Sequence, residues 1–177
     1  MHEYASEIEF HPWTSEPQVA SLITALIDIH ECTNVLEVGV FKGATALAML
    51  WDGVNYTGID IEDHRHDIVK QEMKGHKFIL GNSLDVLKTL PKQHFDLIFI
   101  DSLHEYDHIM QEFKLCERII KKGGLILFHD SIGIEDVKRI INYIKGFKHF
   151  EVVTLRTPYI EGRGFGSGVS IVKCNYE

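Results

Sequence analysis

The sequence predicts an α/β protein on a doubly wound, Rossmann-like seven-stranded sheet, mostly parallel with an antiparallel C-terminal strand. Three observations predict it. Short β-branched and aliphatic runs alternate with amphipathic stretches along the chain, the pattern of strands crossed over by helices. The run Phe95–Ile100 is nearly all apolar, as expected of a central strand covered on both faces. Two late β-rich runs lie close together with a glycine-rich link between them, which suits an antiparallel pair.

Each element has its own local signal. Ser15 as N-cap and Pro17 in the first turn open a helix whose apolar residues Val19, Leu22, Ile23, Leu26 and Ile27 recur at helical spacing. Asn34–Val38 reads as a strand, Ala44–Trp51 as a helix and Tyr56–Asp60 as a second strand. A polar helix follows, through about Lys74. Lys77–Leu80 is the third strand, and the helix Ser83–Leu90 stops at Pro91. After Phe95–Ile100, a helix over Tyr106–Ile120 is expected to end at Gly123 and Gly124. Leu125–Phe128 forms the fifth strand, Ile134–Lys145 a helix, and Phe150–Leu155 and Val169–Lys173 the final strands.

One domain is expected over residues 1–177, with a core at 33–173 and residues 1–15 as a lid or dimer segment. The exposed aromatics expected there, Tyr4, Phe10 and Trp13, would make a homodimer contact. Tyr159, Arg163 and Phe165, in the link 156–168, would touch substrate or form a tight exposed loop. The composition, 45% hydrophobic and 25% charged, is that of a globular protein. No apolar run is long enough to span a bilayer and the start lacks a secretory pattern, so no membrane partner and a cytoplasmic location are expected. Cys32, Cys116 and Cys174 are scattered, without a CxxC pair, and read as small core hydrophobes. A formal net charge of −8 without a basic cluster disfavours a nucleic-acid partner.

In such a sheet ligands sit at the carboxyl ends of the strands, near the switch point. Strand one ends in Glu37, Gly39, Phe41 and Gly43, where two glycines let the backbone turn tightly and a ligand approach. Glu37 would suit a cationic group such as an ammonium. Asp60, at the end of strand two, suits an acid accepting hydrogen bonds from the ribose hydroxyls of an adenosine, with a helix-capping role as the alternative. Asn82 and Ser83 would meet an adenine edge or cap the next helix. Asp101 and His104 follow strand four, and His129 and Asp130 follow strand five. Two carboxylates and a histidine converging there can hold a divalent cation, unless Asp130 caps a helix and His129 packs in a hydrogen-bonded site.

The segment Val35–Leu47 resembles motif I of class I methyltransferases, in particular the catechol and caffeoyl-coenzyme A type O-methyltransferases, which carry an aromatic residue where Phe41 stands. Ile100–Tyr106 with Gly123–Asp130 is similar to a neighbouring group, the metal-dependent macrolide-sugar O-methyltransferases and cephalosporin hydroxylase-like proteins. The resemblance spans roughly Glu16 to Lys173. It implies S-adenosylmethionine as cofactor, with Glu37 and the Gly39–Gly43 loop on the methionine part, Asp60 and Ile61 at the ribose, and Asn82 with Ser83 beside the adenine. It further implies Mg2+ or another divalent cation on Asp101, His129 and Asp130, catalytic roles for Asp101 and His104 with His104 as general base, and a small-molecule hydroxyl as acceptor. One departure stands out: the position of His129 is usually acidic in those relatives. The catechol-type pattern would instead use Asp101, Asp130 and the next residue, here Ser131.

Other readings share part of this pattern. A nicotinamide oxidoreductase would use the same sheet and Asp60, but the chain lacks GxGxxG. A nucleic-acid or protein methyltransferase would often carry an Asn/Asp-Pro-Pro-aromatic motif after strand four, which Asp101–His104 is not. A non-catalytic cofactor-binding module would keep Glu37 and Asp60 without needing Asp101, His104 and Asp130 together.

Overall fold

The computed structural model describes residues 14–158 and 166–175. Tyr4, Phe10, Trp13, Tyr159, Arg163 and Phe165, on which the lid, dimer and substrate-contact expectations fall, lie outside the described residues. Seven strands, β1 (Asn34–Val38), β2 (Asn55–Asp60), β3 (Lys77–Leu80), β4 (Phe95–Ile100), β5 (Ile120–His129), β6 (Phe150–Leu155) and β7 (Val169–Cys174), form one sheet in the order β3-β2-β1-β4-β5-β7-β6. The four pairings from β3 to β5 are parallel, and β7 runs antiparallel to both β5 and β6. The expected mixed α/β architecture is what the chain adopts. Among the described residues no helix is long and apolar enough to cross a membrane.

Strand alternation sorts the core into two layers. Leu36, Val38, Ile98, Ile100, Ile126 and Phe128 pack on one face against α4 (Ser83–Thr89), α5 (Tyr106–Ile119) and α6 (Glu135–Ile144). Val35, Leu97, Phe99, Leu125 and Leu127 pack on the other against α1 (Pro17–Ile29), α2 (Ala44–Met49) and α3 (Asp67–Glu72). The period of two therefore directs Glu37 and His129 to the α1 face. Cys32, Cys116 and Cys174 are buried thiols that pack as small core residues.

Two local expectations are corrected. Ser15 does not cap α1: Glu16 is the N-cap residue and makes no side-chain capping bond, while Pro17 occupies the first turn as expected. Gly123 and Gly124 do not stop a helix either. The helix ends at Ile119, and β5 already begins at Ile120. Its pairing with β4 slips between Phe95 and Leu97, and Gly123 takes a left-handed φ of 77°. The glycine pair thus makes a bulge that resets the register.

Candidate active site

The switch point lies between β1 and β4, where successive crossovers leave in opposite directions. A cavity of about 470 Å³ opens there, lined among others by Gly39, Phe41, Asp60, Ile61, Asn82 and Ser83, and by Asp101 and Leu103 on the β4 side. That volume is of the order that holds a small organic ligand. Ile61 and Leu103 are large apolar side chains left exposed at its rim.

The loop after β1 is shaped by close approach. Gly39 has φ +90°, and a Cβ on it would lie 2.1 Å from the Asp101 carbonyl oxygen. Any other residue would push β1 away from β4 at the point where the ligand space begins. Phe41 holds φ 47°, unusual for a side-chain-bearing residue. Its amide and that of Val40 donate to Asp60 Oδ2 at 2.7 and 2.8 Å, and the Glu62 amide donates to Oδ1 at 3.1 Å. Asp60 therefore splints the loop. Ionised, it has about four acceptor sites, so it retains capacity for ribose hydroxyls.

Glu37 is buried beneath the loop, and the Tyr56 hydroxyl donates to its Oε2. Burial pushes its carboxyl well above the usual range, against the opposing effect of the Tyr56 bond. Glu37, the Gly39–Gly43 loop, Thr14, Ser15 and Asp101 line a second, small cavity of about 40 Å³. A cationic ligand group there would restore the charge that burial disfavours. Asn82 accepts from the Leu84 amide at 2.9 Å and so caps α4, the alternative role weighed for it, while still lining the larger cavity.

Beyond Gly39 the cavity meets a cluster of charges. Asp101 Oδ1 accepts from His129 Nδ1 at 3.2 Å, and Oδ2 accepts from the Ser15 hydroxyl at 2.8 Å. His104 Nε2 lies 3.4 Å from Asp101 Oδ1 and 3.5 Å from Asp130 Oδ2. That nitrogen is buried and makes no hydrogen bond among the described residues. Ligand-capable atoms of Asp101, His104 and Asp130 all lie within 4.8 Å of one another. Burial penalises the Asp101 charge, yet His129 and His104 hold its pKa well below the usual carboxylate range. Burial likewise opposes protonation of His104, but the Asp101 and Asp130 carboxylates beside it raise its pKa.

His129 stands apart from that grouping. Neighbouring strand residues point to opposite faces, so His129 and Asp130 reach the same space only because Asp130 turns left-handed, with φ 56°. The His129 ring points under α1, where Nε2 donates to Glu16 Oε2 at 2.7 Å. Its Nδ1 lies 3.2 Å from Asp101 Oδ1 and 3.6 Å from Asp130 Oδ2. Ser131 is also directed elsewhere and accepts from the Ser170 hydroxyl at 2.9 Å.

Several contributors were not singled out from sequence. Glu16, Ser15 and Thr157 meet the cluster from distant parts of the chain. Glu112, fully buried in α5, accepts from the Ser102 hydroxyl at 2.6 Å and lies 3.0 Å from His108 Nε2, which is 3.1 Å from Ser83 Oγ. Ser83, Ser102 and His108 all line the larger cavity. An acid within the apolar stripe Ile109, Phe113 and Cys116 was the available signal for Glu112.

The fold and site define an α/β domain with a nucleoside-sized cleft opening onto a carboxylate–imidazole centre. Residues 36–131 match a family described as "Methyltransferase domain", and the chain belongs to that family. It is 29% identical over 140 residues to caffeoyl-CoA O-methyltransferase of Petroselinum crispum and to caffeoyl-CoA O-methyltransferase 2 of Petunia hybrida, covering 69% of this chain and 57% of each relative. The chain thus spans little more than half the length of those curated relatives. Among solved structures, the O-methyltransferase TomG from Streptomyces achromogenes, described in complex with SAM, superposes with TM-score 0.75 at 15% identity, over 98% of this chain and 87% of that one. A Bacillus cereus O-methyltransferase described in complex with SAH gives TM-score 0.74 at 16% identity, over 97% and 87%. At such identities these two matches establish the fold.

Proposed function

We propose that the chain transfers a methyl group from S-adenosylmethionine to a hydroxyl of a small molecule, a sugar, phenol or other natural product, with a divalent cation at the acceptor end. The observation that carries this reading is the continuity of the cleft, which runs from Asp60 and Asn82 past Gly39 to Asp101. Adenosine and the activated methyl would occupy opposite ends of one space. The names of the caffeoyl-CoA relatives and the SAM and SAH complexes of structural neighbours support the same cofactor and reaction class.

The residues present fit both groups. Asp60 and Ile61 would flank the ribose, Asn82 and Ser83 the adenine, and Glu37 with the Gly39–Gly43 loop the methionine part. Bound there, S-adenosylmethionine would supply a methyl group activated by its positively charged sulfur. Holding the partners in near-attack geometry can lower the barrier by about 7–11 kcal/mol. Asp101 and Asp130 would hold the cation, which lowers the pKa of a hydroxyl beside it. His104 Nε2, buried and without a hydrogen bond, faces both carboxylates. We place it as the proton acceptor for the hydroxyl, with His129 as an internal cation and not a ligand.

Thermal shift and calorimetry with S-adenosylhomocysteine, NAD and Mn2+ test the reading. Stabilisation by S-adenosylhomocysteine and by Mn2+ is expected, as is turnover that stops on chelation. Stabilisation by NAD alone would overturn it. If His104→Ala loses Mn2+ binding along with turnover, the imidazole is a ligand and its proton-acceptor role falls.

A further inference from the structure

Glu16 touches neither cavity, yet it is buried beside the reaction centre. It is 2% exposed and His129 is 1% exposed. Carboxylates only accept hydrogen bonds, and both ring nitrogens of His129 face carboxylate oxygens, Glu16 Oε2 at 2.7 Å and Asp101 Oδ1 at 3.2 Å. Each nitrogen is thus engaged by a carboxylate, and the buried ring bridges Glu16 to Asp101. A polar group so deeply buried is held in place by its hydrogen bonds.

The Glu16 carboxylate is itself held on its second oxygen. Thr157 Oγ1 donates to Glu16 Oε1 at 2.8 Å, and the Gly168 amide donates to Thr157 Oγ1 at 2.8 Å. Hydrogen bonds thus run unbroken from the segments flanking β6 and β7, through Glu16 and His129, to Asp101.

We propose that Glu16 is a positioning residue: acting through His129, it fixes the Asp101 carboxylate at the reaction centre in the orientation the cation needs. The inference rests on the reading that Asp101 helps to hold a divalent cation.

Mn2+ binding followed by electron paramagnetic resonance, with S-adenosylhomocysteine binding by calorimetry, tests this on the full chain. Glu16→Gln and His129→Gln should each weaken Mn2+ binding about 10–100-fold. The double variant should be no weaker than the worse single one, because both act through the same contact. S-adenosylhomocysteine affinity should hold in all three, since neither residue lines the cleft. Variants that lose thermal stability but bind Mn2+ as the wild type does would reduce the pair to a clip and overturn the proposal. If Glu16→Gln fails to fold, Thr157→Val reads the same chain: a few-fold loss of Mn2+ affinity supports it, and no change overturns it.

Mn2+ binding by the wild type separates the two failures. Wild-type binding that Glu16→Gln and His129→Gln leave unchanged overturns the Glu16 proposal alone. No Mn2+ binding by the folded wild type overturns the cation reading, and the proposed role with it.

Discussion

The two halves of the sheet's carboxyl edge are built by different physics. Beside β1 and β2 the work is done by backbone shape: Gly39 passes within contact of Asp101, Phe41 turns left-handed, and Asp60 is spent largely on fixing their loop. The one acid beneath the loop, Glu37, is buried against a tyrosine and resists ionisation. Beside β4 and β5 the groups are charged and answer one another, with His129 between Glu16 and Asp101 and His104 near Asp101 and Asp130. A cofactor common to many enzymes needs a preformed cradle, whereas activating a hydroxyl needs charge held ready in a dry place.

Substitutions can break that division. The largest effect is expected at Asp101→Ala. Turnover should fall at least ~1,000-fold, because about 4 kcal/mol of lost charge stabilisation is three decades in rate. Binding of S-adenosylhomocysteine should change little; equal loss of both would make the two halves one unit. Next comes His104→Ala, with turnover down ~100-fold or more. A base must be unprotonated to act, so wild-type rate should fall as pH drops through the His104 pKa, and that acid limb should vanish in the variant. An unchanged profile measured by stopped assays would remove His104 from the proton transfer.

On the cradle side, Gly39→Ala should cost about 1–3 kcal/mol from backbone conformation alone, and the clash with Asp101 adds to it. Denaturant melts should show the stability loss and calorimetry a weaker S-adenosylhomocysteine. Normal cofactor affinity in this variant would mean that the close approach is dispensable.

The smallest effect on chemistry belongs to the far end of the sheet. There Asp96 accepts from the Thr33 and Asn34 amides, each at 2.9 Å, and from Lys121 Nζ at 2.6 Å. Asp96→Ala should cost roughly 1–3 kcal/mol of stability and leave kcat/KM unchanged. Burial opposes the Asp96 charge, but the Lys121 bond and the two amides lower its pKa overall. Its stabilising contribution is therefore present above the unfolded pKa of about 3.9 and lost as pH falls through the lower folded value. Acid melts of wild type and variant should converge in that range.

What could be read from sequence follows the reach of each interaction. β1, β3, β4 and β6 match their predicted limits residue for residue, because alternation and flanking turns are local. The strand-end carboxylates and histidines were visible for the same reason. His129 was grouped with Asp130 by adjacency, although strand parity sends neighbours to opposite faces; only the left-handed turn at Asp130 brings that residue back. The bulge at Gly123 and Gly124 imitated a helix stop, since both use glycine in a left-handed conformation. Ser15 and Glu16 carried only a capping signal, and their partners stand 86 and 113 residues away. Such pairing has no period from which to be read.

Those separations have a consequence for how the molecule comes into being. The hydrogen bond from Thr157 to Glu16 closes 141 residues of chain, and contacts of such span form late in folding. While a ribosome is still delivering β6 and β7, Glu16 waits without the hydroxyl that will steady it. The reaction centre therefore gains its full set of hydrogen bonds around Glu16 only once β6 and β7 have docked, behind the part of the sheet that supports it.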